Sequence, residues 1–369
     1  MTSDIATPLV TLEHLHRFIA TALQHAGLPP TDADTVARLM AEADLQGSDG
    51  HGVIRLVPYI KRIRAGGINV HPNIRVVSER AAMAVLDGDN GMGHLVVSRA
   101  VDLAVEKAQA CGVAWVSVRN SNHAGPASLY ARMPLQHDML GLYFAVGSAN
   151  HLPPWGGSEM LLSTNPIAVG IPAGAEPPVV LDMATTVAAY GKVKAKAKRG
   201  EMMPEGWMID RQGKPLLDPK RAGEGFLLPI GEHKGYGLAL IVGLLAGTLG
   251  GAAMGRDVVD FNHDFVTPTN TGQAILVLDL KAFRDPAGFK VDVDQLIGDI
   301  HASERLPGVE RIWLPGEQSH GKRMQYAKTG IPVAPALVAE LNELALNLGI
   351  EPLTLLRNSY TVKAEQQLP

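Results

Sequence analysis

A single cysteine, Cys111, in 369 residues excludes an intrachain disulfide framework and any multi-thiolate zinc or iron–sulfur site within one chain. Neither sign of charge prevails. Lys and Arg number 33 against 37 Asp and Glu, a formal net charge of −4 that is too near neutral for a generic nucleic-acid binder. No G-x-G-x-x-G follows a strand and opens a helix, because Gly88-Asp89-Asn90-Gly91-Met92-Gly93 has the wrong order, and Walker A is missing too. A standard Rossmann or P-loop domain is therefore disfavoured. Metal spacings are absent as well: there is no H-E-x-x-H and no C-x-x-C, and His14 and His16 face different sides of a helix. No metal is expected. The opening MTSDIATPLV carries Asp4 and no basic segment before an apolar run, so the expectation is a cytoplasmic protein without a secretory signal. What is present is a globular balance, 46% apolar and 19% charged, at a length for which two domains is the prior.

One stretch tests the expectation of solubility. Gly235 to Gly255 runs 21 residues without a charge, between Lys234 and Arg256, and contains a Gly243/Gly247 GxxxG pair. Seven of its residues are glycine and no second span exists, so a buried helix at a domain or subunit contact is expected rather than a membrane span.

The ends of the chain read as helical and the middle as sheet. Thr11 caps a helix bearing Leu12, Leu15, Ile19, Leu23 and Ala26, stopped by Gly27. Thr31 and Asp34 fit a capping box before Val36, Leu39, Met40 and Ala43. Further helices are expected at 56–65, 98–110 (stopped by Gly112), 291–303 and 336–348. Apolar runs at 74–77, 82–86, 113–118, 142–146, 167–171, 179–181 and 274–280 read as strands, with a loop-rich segment at 200–225. Helical ends around a sheet-containing middle imply a discontinuous outer domain, residues 1–120 with 290–369, and an inserted domain, 121–289.

Two histidines stand out. His51 lies in Gly47-Ser-Asp-Gly50-His51-Gly52-Val53-Ile54-Arg55, where flanking glycines leave an imidazole accessible to exchange protons near neutral pH. Arg55, four residues on, shares its face if the segment is helical and can clamp a carboxylate. A surface histidine on a turn with a salt-bridged arginine is the alternative. His123 follows the strand at 113–118 in Arg119-Asn-Ser-Asn-His123-Ala-Gly125, at a strand end that suits ligand contacts or a loop held by its own Asn and Ser side chains. His233 and Lys234 precede the long apolar helix, where cations make sense if a phosphate shares the site. The run Gly191 to Arg199 is the densest in basic residues and reads as a solvated face or a patch for a phosphorylated ligand.

Taken together and in order, these pieces resemble the malate/L-lactate dehydrogenase family of non-Rossmann NAD(P)-dependent oxidoreductases. The matching stretches begin with ADLQGSDGHGVIRLVPYIKRIRAGG from Ala43, VSVRNSNHAG from Val116, PPWGG from Pro153 and STNPIAVGIP from Ser163. They continue with VVLDMATTVAAYGK from Val179, MPEGWMID from Met203, HKGYGLAL from His233, NTGQ from Asn270 and LPGE from Leu314. The resemblance implies an α/β fold with a mixed-sheet, non-Rossmann dinucleotide-binding domain inserted in a discontinuous helix-rich outer domain. It implies hydride transfer between NAD or NADP and C2 of a small anionic 2-hydroxy or 2-oxo acid, no nucleic-acid or membrane partner, and a homodimer. Residues matching the family's proton carrier and carboxylate clamp are His51 and Arg55, and His123 matches a histidine assigned as acid/base in some members. Implied cofactor contacts are Thr164, Asn165, Asp182, Met183, Ala184, Thr185, His233, Lys234, Pro315, Gly316 and Glu317. A cyclic imino-acid reductase and a non-catalytic ligand-binding relative are the alternatives. Two departures stand out: Gly50 where the family usually has Ser, and Glu232 where glycine is common.

Overall fold

The structure is a computed structural model that describes residues 7–356. In chain order its helices are α1 (Leu12–His25), α2 (Pro30–Leu45), α3 (Leu56–Arg64), α4 (Gly93–Cys111), α5 (Ser128–Arg132), α6 (Tyr190–Arg199), α7 (His233–Ala246), α8 (Pro286–Ala302), α9 (Glu317–Thr329) and α10 (Pro335–Leu348). Its strands are β1 (Leu9–Val10), β2 (Arg75–Arg80), β3 (Met83–Gly91), β4 (Val113–Ser121), β5 (Met139–Ala145), β6 (Ile167–Ile171), β7 (Val179–Met183), β8 (Met208–Asp210), β9 (Gly225–Leu227), β10 (Thr271–Asp279) and β11 (Ile331–Pro332). The chain divides into two compact units, one up to Ile60 and again from Ser319, the other Lys61–Gln318.

The first unit is helical. The Thr11 hydroxyl accepts the His14 N–H at 3.1 Å and starts α1, whose Leu15, Ile19 and Leu23 are fully buried. The capping box expected at Thr31 and Asp34 does not form. Helix α2 begins at Pro30, with Pro29 as its cap and no side-chain cap bond. A proline in the first turn presets φ and gives up an N–H that the helix leaves unpaired anyway. The short pair β1–β11 (Leu9 with Pro332, Val10 with Ile331) closes the unit, joining its early and late segments.

The second unit is built on a seven-stranded sheet in the order β2-β3-β4-β10-β5-β6-β7. Every pair is antiparallel except β3–β4, which is parallel and bridged by α4. This is a mixed α/β architecture, without the all-parallel doubly wound sheet of a Rossmann domain. Central β4 and β10 carry the core, with Ala114, Val116, Val118, Ile275 and Val277 buried. Pairing of β2–β4 with the rest of the sheet draws residues 61–120 into this unit, and 290–318 also belong to it, whereas helical content placed a boundary at 120 and another at 290. Helix α4 is a crossover of the sheet, not an outer helix. It starts at Gly93, earlier than its periodicity predicts. A Cβ there would lie 2.1 Å from the Asn122 carbonyl oxygen, so glycine lets the helix start press on the end of β4.

The long apolar run departs from expectation. Helix α7 covers only His233–Ala246, and the chain turns at Gly247, which packs against the Val146 side chain and the Ala253 carbonyl. The helix is also not buried all round: Ile241 is 53% exposed and Leu244 is exposed too, as is Leu249 in the turn that follows. Among the described residues, no helix is long and apolar enough to cross a membrane.

Candidate active site

His51 sits on a turn that one buried carboxylate holds. After α2 the chain reverses through Gly47 (φ +75°), and the His51 N–H donates to the Ser48 carbonyl at 2.9 Å. Asp44, in the last turn of α2, accepts the Val53 N–H at 2.7 Å. A Cβ on Gly52 would fall 2.1 Å from the Asp44 carboxylate, which is why only glycine serves after the histidine. Burial pushes the Asp44 carboxyl up to about 8; the Val53 bond opposes this, and Asp49 adds to it. Burial, and secondarily Arg55, pushes His51 down to about 4. The turn thus carries a neutral imidazole at neutral pH. Residues Val53–Arg55 form a 3₁₀ turn, and the Arg55 Nε donates to the Gly50 carbonyl at 2.9 Å.

His123 is positioned differently, at the end of β4. The Asn122 amide is fully buried: it donates to the Asn90 carbonyl (3.0 Å), Asn90 Oδ1 (2.9 Å) and Gly91 carbonyl (2.9 Å), and accepts from the Thr269 hydroxyl (2.8 Å). One residue on, His123 Nδ1 accepts the Gly125 N–H at 3.4 Å, and its ring lies 5.6 Å from that of Phe261. Arg62, which no solvent reaches, lies 5.0 Å from the Phe261 ring and donates to the carbonyls of Thr267 (2.8 Å), Gly67 (3.3 Å) and Asp264. On the neighbouring strand β3, Asp87 receives Arg119 and Asn120 of β4 and the Asp89 N–H. Burial works to raise the Asp87 carboxyl, but these bonds outweigh it and hold the group below the usual carboxylate range.

The remaining expected residues lie in the unit Lys61–Gln318, and several are joined. The Thr164 carbonyl accepts both the N–H and the hydroxyl of Thr185, each at 2.9 Å. The Asn165 amide is consumed inside the protein, donating to the Ala239 carbonyl on α7 at 2.9 Å and accepting the Gly147 N–H at 3.1 Å. Asp182 accepts the Ser128 N–H at the start of α5 (2.8 Å); burial raises its carboxyl, against the Ser128 bonds and the Arg132 charge. Met183 ends β7, and Ala184 follows it. His233 and Lys234 are exposed at the first turn of α7, behind Glu232, which holds a left-handed φ of +58° and gives the helix no side-chain cap. Pro315 accepts the Val180 N–H at 2.9 Å, laying the Pro315-Gly316-Glu317 turn on β7. Gly316 takes φ +84°, and a Cβ on it would sit 2.8 Å from the Val180 carbonyl oxygen.

This donor set fits a dinucleotide in its chemistry: the exposed Lys234 and the His233 imidazole at the N-terminus of a 14-residue helix suit a pyrophosphate. The basic run instead forms α6 and spends much of its charge locally, with Lys196 and Arg199 on Glu201 at 3.0 and 2.6 Å. No metal-holding group of acidic, His or Cys side chains occurs among the described residues. Sequence reasoning missed Asp44, Arg62 and Phe261. Asp44 had a signal, an acid beside the apolar stripe of α2, whereas Arg62 and Phe261 had none.

The family model described as malate/L-lactate dehydrogenase matches residues 10–342. The malate dehydrogenase of Pyrococcus horikoshii is 38% identical over 93% of this chain and 96% of its own. The solved structure of malate dehydrogenase from Pyrococcus horikoshii OT3 superimposes with a TM-score of 0.87 at 35% identity, covering 95% of this chain and 98% of that one. The ureidoglycolate dehydrogenase (NAD(+)) of Escherichia coli K12 is 32% identical over 88% of this chain and 92% of its own. The Δ1-piperideine-2-carboxylate reductase structure from Pseudomonas syringae pv. tomato gives a TM-score of 0.80 at 30% identity, over 92% of this chain and 100% of that one. The chain belongs to the malate/L-lactate dehydrogenase family.

Proposed function

We propose that the protein is an NAD(P)-dependent oxidoreductase acting on the CH–OH group of a small 2-hydroxy acid of the malate or lactate type, and reducing the matching 2-oxo acid. The observation that carries this reading is the pairing of a neutral, desolvated His51 with Arg55 on one short turn. The cofactor, when bound, supplies or accepts the hydride at C2. Arg55 holds the substrate carboxylate through its guanidinium. His51 takes the hydroxyl proton during oxidation, and in its protonated form neutralises the charge that develops on the carbonyl oxygen during reduction. A low pKa suits the first task without preparation and makes the imidazolium a strong acid in the second. His123 stands as the second candidate acid/base.

In this reading the inserted cofactor domain centres on residues 121–289, with Thr164, Asn165, Asp182, Met183, Ala184 and Thr185 along one strand end and His233 and Lys234 at the pyrophosphate. Pro315, Gly316 and Glu317 complete it from beyond that span. Asn165 and Thr185 contribute through the backbone they fix, since their side chains are engaged elsewhere. The helix-rich outer domain supplies His51 and Arg55. A homodimer is supported by the exposed apolar residues Ile241 and Leu244 of α7, which a second copy would cover. A cytoplasmic setting agrees with a sequence that holds a single cysteine, Cys111, and so no intrachain disulfide framework. Likeness to the piperideine-carboxylate reductase supports a second reading, reduction of a cyclic imino acid by the same groups.

The test is absorbance at 340 nm with NADH and NADPH against a panel of 2-oxo acids and cyclic imino acids. Turnover of 2-oxo acids is expected. Turnover of the imines alone would favour the second reading, and neither activity nor cofactor binding would refute both.

A further inference from the structure

Just beyond β4, one peptide unit is engaged at both of its ends. The Gly125 N–H donates to His123 Nδ1 at 3.4 Å, and the Ala124 carbonyl, which belongs to the same peptide, accepts the Tyr130 hydroxyl at 2.5 Å. Gly125 takes φ +81°, a left-handed conformation open to glycine, so the chain can leave the turn while this N–H still points back at the histidine. A continuous chain of bonds therefore runs from the phenol, through the Ala124–Gly125 peptide, to the imidazole.

The far end of that chain is firmly seated. Tyr130 lies in α5, whose first N–H, on Ser128, is received by Asp182 at the end of β7 at 2.8 Å. No solvent reaches Tyr130, and its ring packs against that of Tyr143 on β5, 5.2 Å between centroids. Ala124 is buried as well, so its carbonyl needs an internal donor, and the Tyr130 hydroxyl supplies one. A hydroxyl donating to a carbonyl polarises the peptide and makes its N–H the better donor, an effect of about 10–30% per bond.

Donation into Nδ1 decides which nitrogen holds the proton. A neutral imidazole has one donor and one acceptor nitrogen, and the bond made at one fixes the other. With Nδ1 accepting the Gly125 N–H, the proton resides on Nε2. That nitrogen then has a proton to share and no lone pair with which to take one.

We propose that His123 acts on the substrate oxygen as a neutral Nε2–H donor that keeps its proton, and that Tyr130, through the Ala124–Gly125 peptide, is the positioning residue that fixes this tautomer. The assignment rests on the dehydrogenase reading above and deepens it, because it takes His123 out of the acid/base role. As hydride reaches C2, negative charge grows on the carbonyl oxygen, and a fixed donor bond to that oxygen strengthens without transfer of the proton. The proton that the oxygen finally gains comes from His51, and in oxidation it returns there. His123 begins and ends each turnover neutral.

The experiment is a long-range proton–nitrogen NMR correlation on the full-length protein with isotopically labelled histidines, His123→Ala serving to assign the signals, alongside steady-state kinetics. The wild-type spectrum should show His123 protonated at Nε2 and bare at Nδ1, a result that does not depend on any Tyr130 variant. Tyr130→Phe keeps the ring against Tyr143 and removes only the hydroxyl. Its two His123 nitrogen signals should move toward each other as the second tautomer is admitted, and kcat should fall about fivefold with KM little changed. A Tyr130 that mattered only for packing would leave the nitrogen signals in place. A wild-type ring protonated at Nδ1, or a Tyr130→Phe protein in which either the signals or kcat is unmoved, overturns the assignment and leaves the dehydrogenase reading standing. Absence of turnover by the wild-type protein with every 2-oxo and imino acid overturns that reading, and the role of His123 on the substrate with it.

Discussion

His51 and His123 each have a glycine within two residues, yet the protein fixes them by opposite means. The His51 turn hangs on one ionisable group: Asp44 accepts the Val53 N–H and fills the space above Gly52. The His123 strand end hangs on groups that do not titrate near neutrality. Asn122 makes four bonds to neutral partners, and Arg62 clasps the 261–267 segment by its carbonyls and through Phe261. One turn is therefore held by a group that titrates, and the strand end by groups that do not. A proton-exchanging residue gains from a desolvated, responsive setting, and a rigid strand end holds its histidine in one place at every pH.

The largest expected effect breaks this comparison at its root. His51→Ala should lower kcat by about 10²-fold or more while cofactor affinity is retained, and His123→Ala, with its imidazole beside Phe261, should cost less. Steady-state kinetics on both variants checks it. A larger loss for His123→Ala would reverse the roles of the two sites.

Next in size is the strand end. Asn122→Ala would remove four hydrogen bonds and strand the Gly91 carbonyl inside the protein, although the Asn90 carbonyl keeps the Asn69 N–H and the Thr269 hydroxyl keeps the Ser121 carbonyl, costing about 3 kcal/mol of stability. Denaturant titration should return that loss unchanged at pH 6 and pH 8, because none of these groups titrates there.

The turn should behave otherwise. Asp44 is raised from 3.8 to about 8, so its contribution is full below pH 3.8 and declines as pH rises toward 8. His51 is lowered from 6.5 to about 4, so its contribution is full above pH 6.5 and is lost as pH falls to 4. Between pH 4 and 6.5 the two slopes oppose and nearly cancel. Between 6.5 and 8 only Asp44 acts, and stability should fall by about 2 kcal/mol. Asp44→Asn keeps an acceptor for the Val53 N–H and should abolish that fall, as melting curves at pH 6.5 and 8 would show. A wild-type protein whose stability is flat over this window would remove Asp44 from its role.

What could be read from the sequence follows the same division between local and distant causes. The Thr11 cap, the Gly112 stop and the span Ile167–Ile171 were legible because caps and alternation act within a few residues. So were His51 and Arg55, which a single motif carries. The start of α4 at Gly93 was not, since the Asn122 backbone that it presses on is 29 positions away. The end of α7 at Gly247 depends on Val146 and Ala253, and an apolar run alone does not reveal such a contact. Arg62 gave no signal because its acceptors at 264 and 267 lie more than 200 positions along the chain. A basic residue at the end of a helix reads as solvated until those carbonyls are seen. Whether a titratable group ends up beside a catalytic turn is likewise a matter of burial, which is why the Asp44 carboxyl was visible as a residue and invisible as a device.

The smallest effect sharpens the comparison most finely. Arg55 lowers His51 as the second cause after burial, so Arg55→Ala should raise the His51 pKa only modestly, leaving it below the ordinary histidine value. An NMR titration of the imidazole reads this directly. The same substitution should raise KM for the carboxylate substrate by about tenfold or more, because a charge-assisted bond is lost. If burial is the dominant cause, the KM change will be large and the pKa change small, two readouts from one side chain that separate clamp from tuner. If the imidazole instead returns to its ordinary value, the arginine and not the desolvated turn sets the proton affinity of His51. The contrast with His123 would then be one of neighbouring charge rather than of how each site is built.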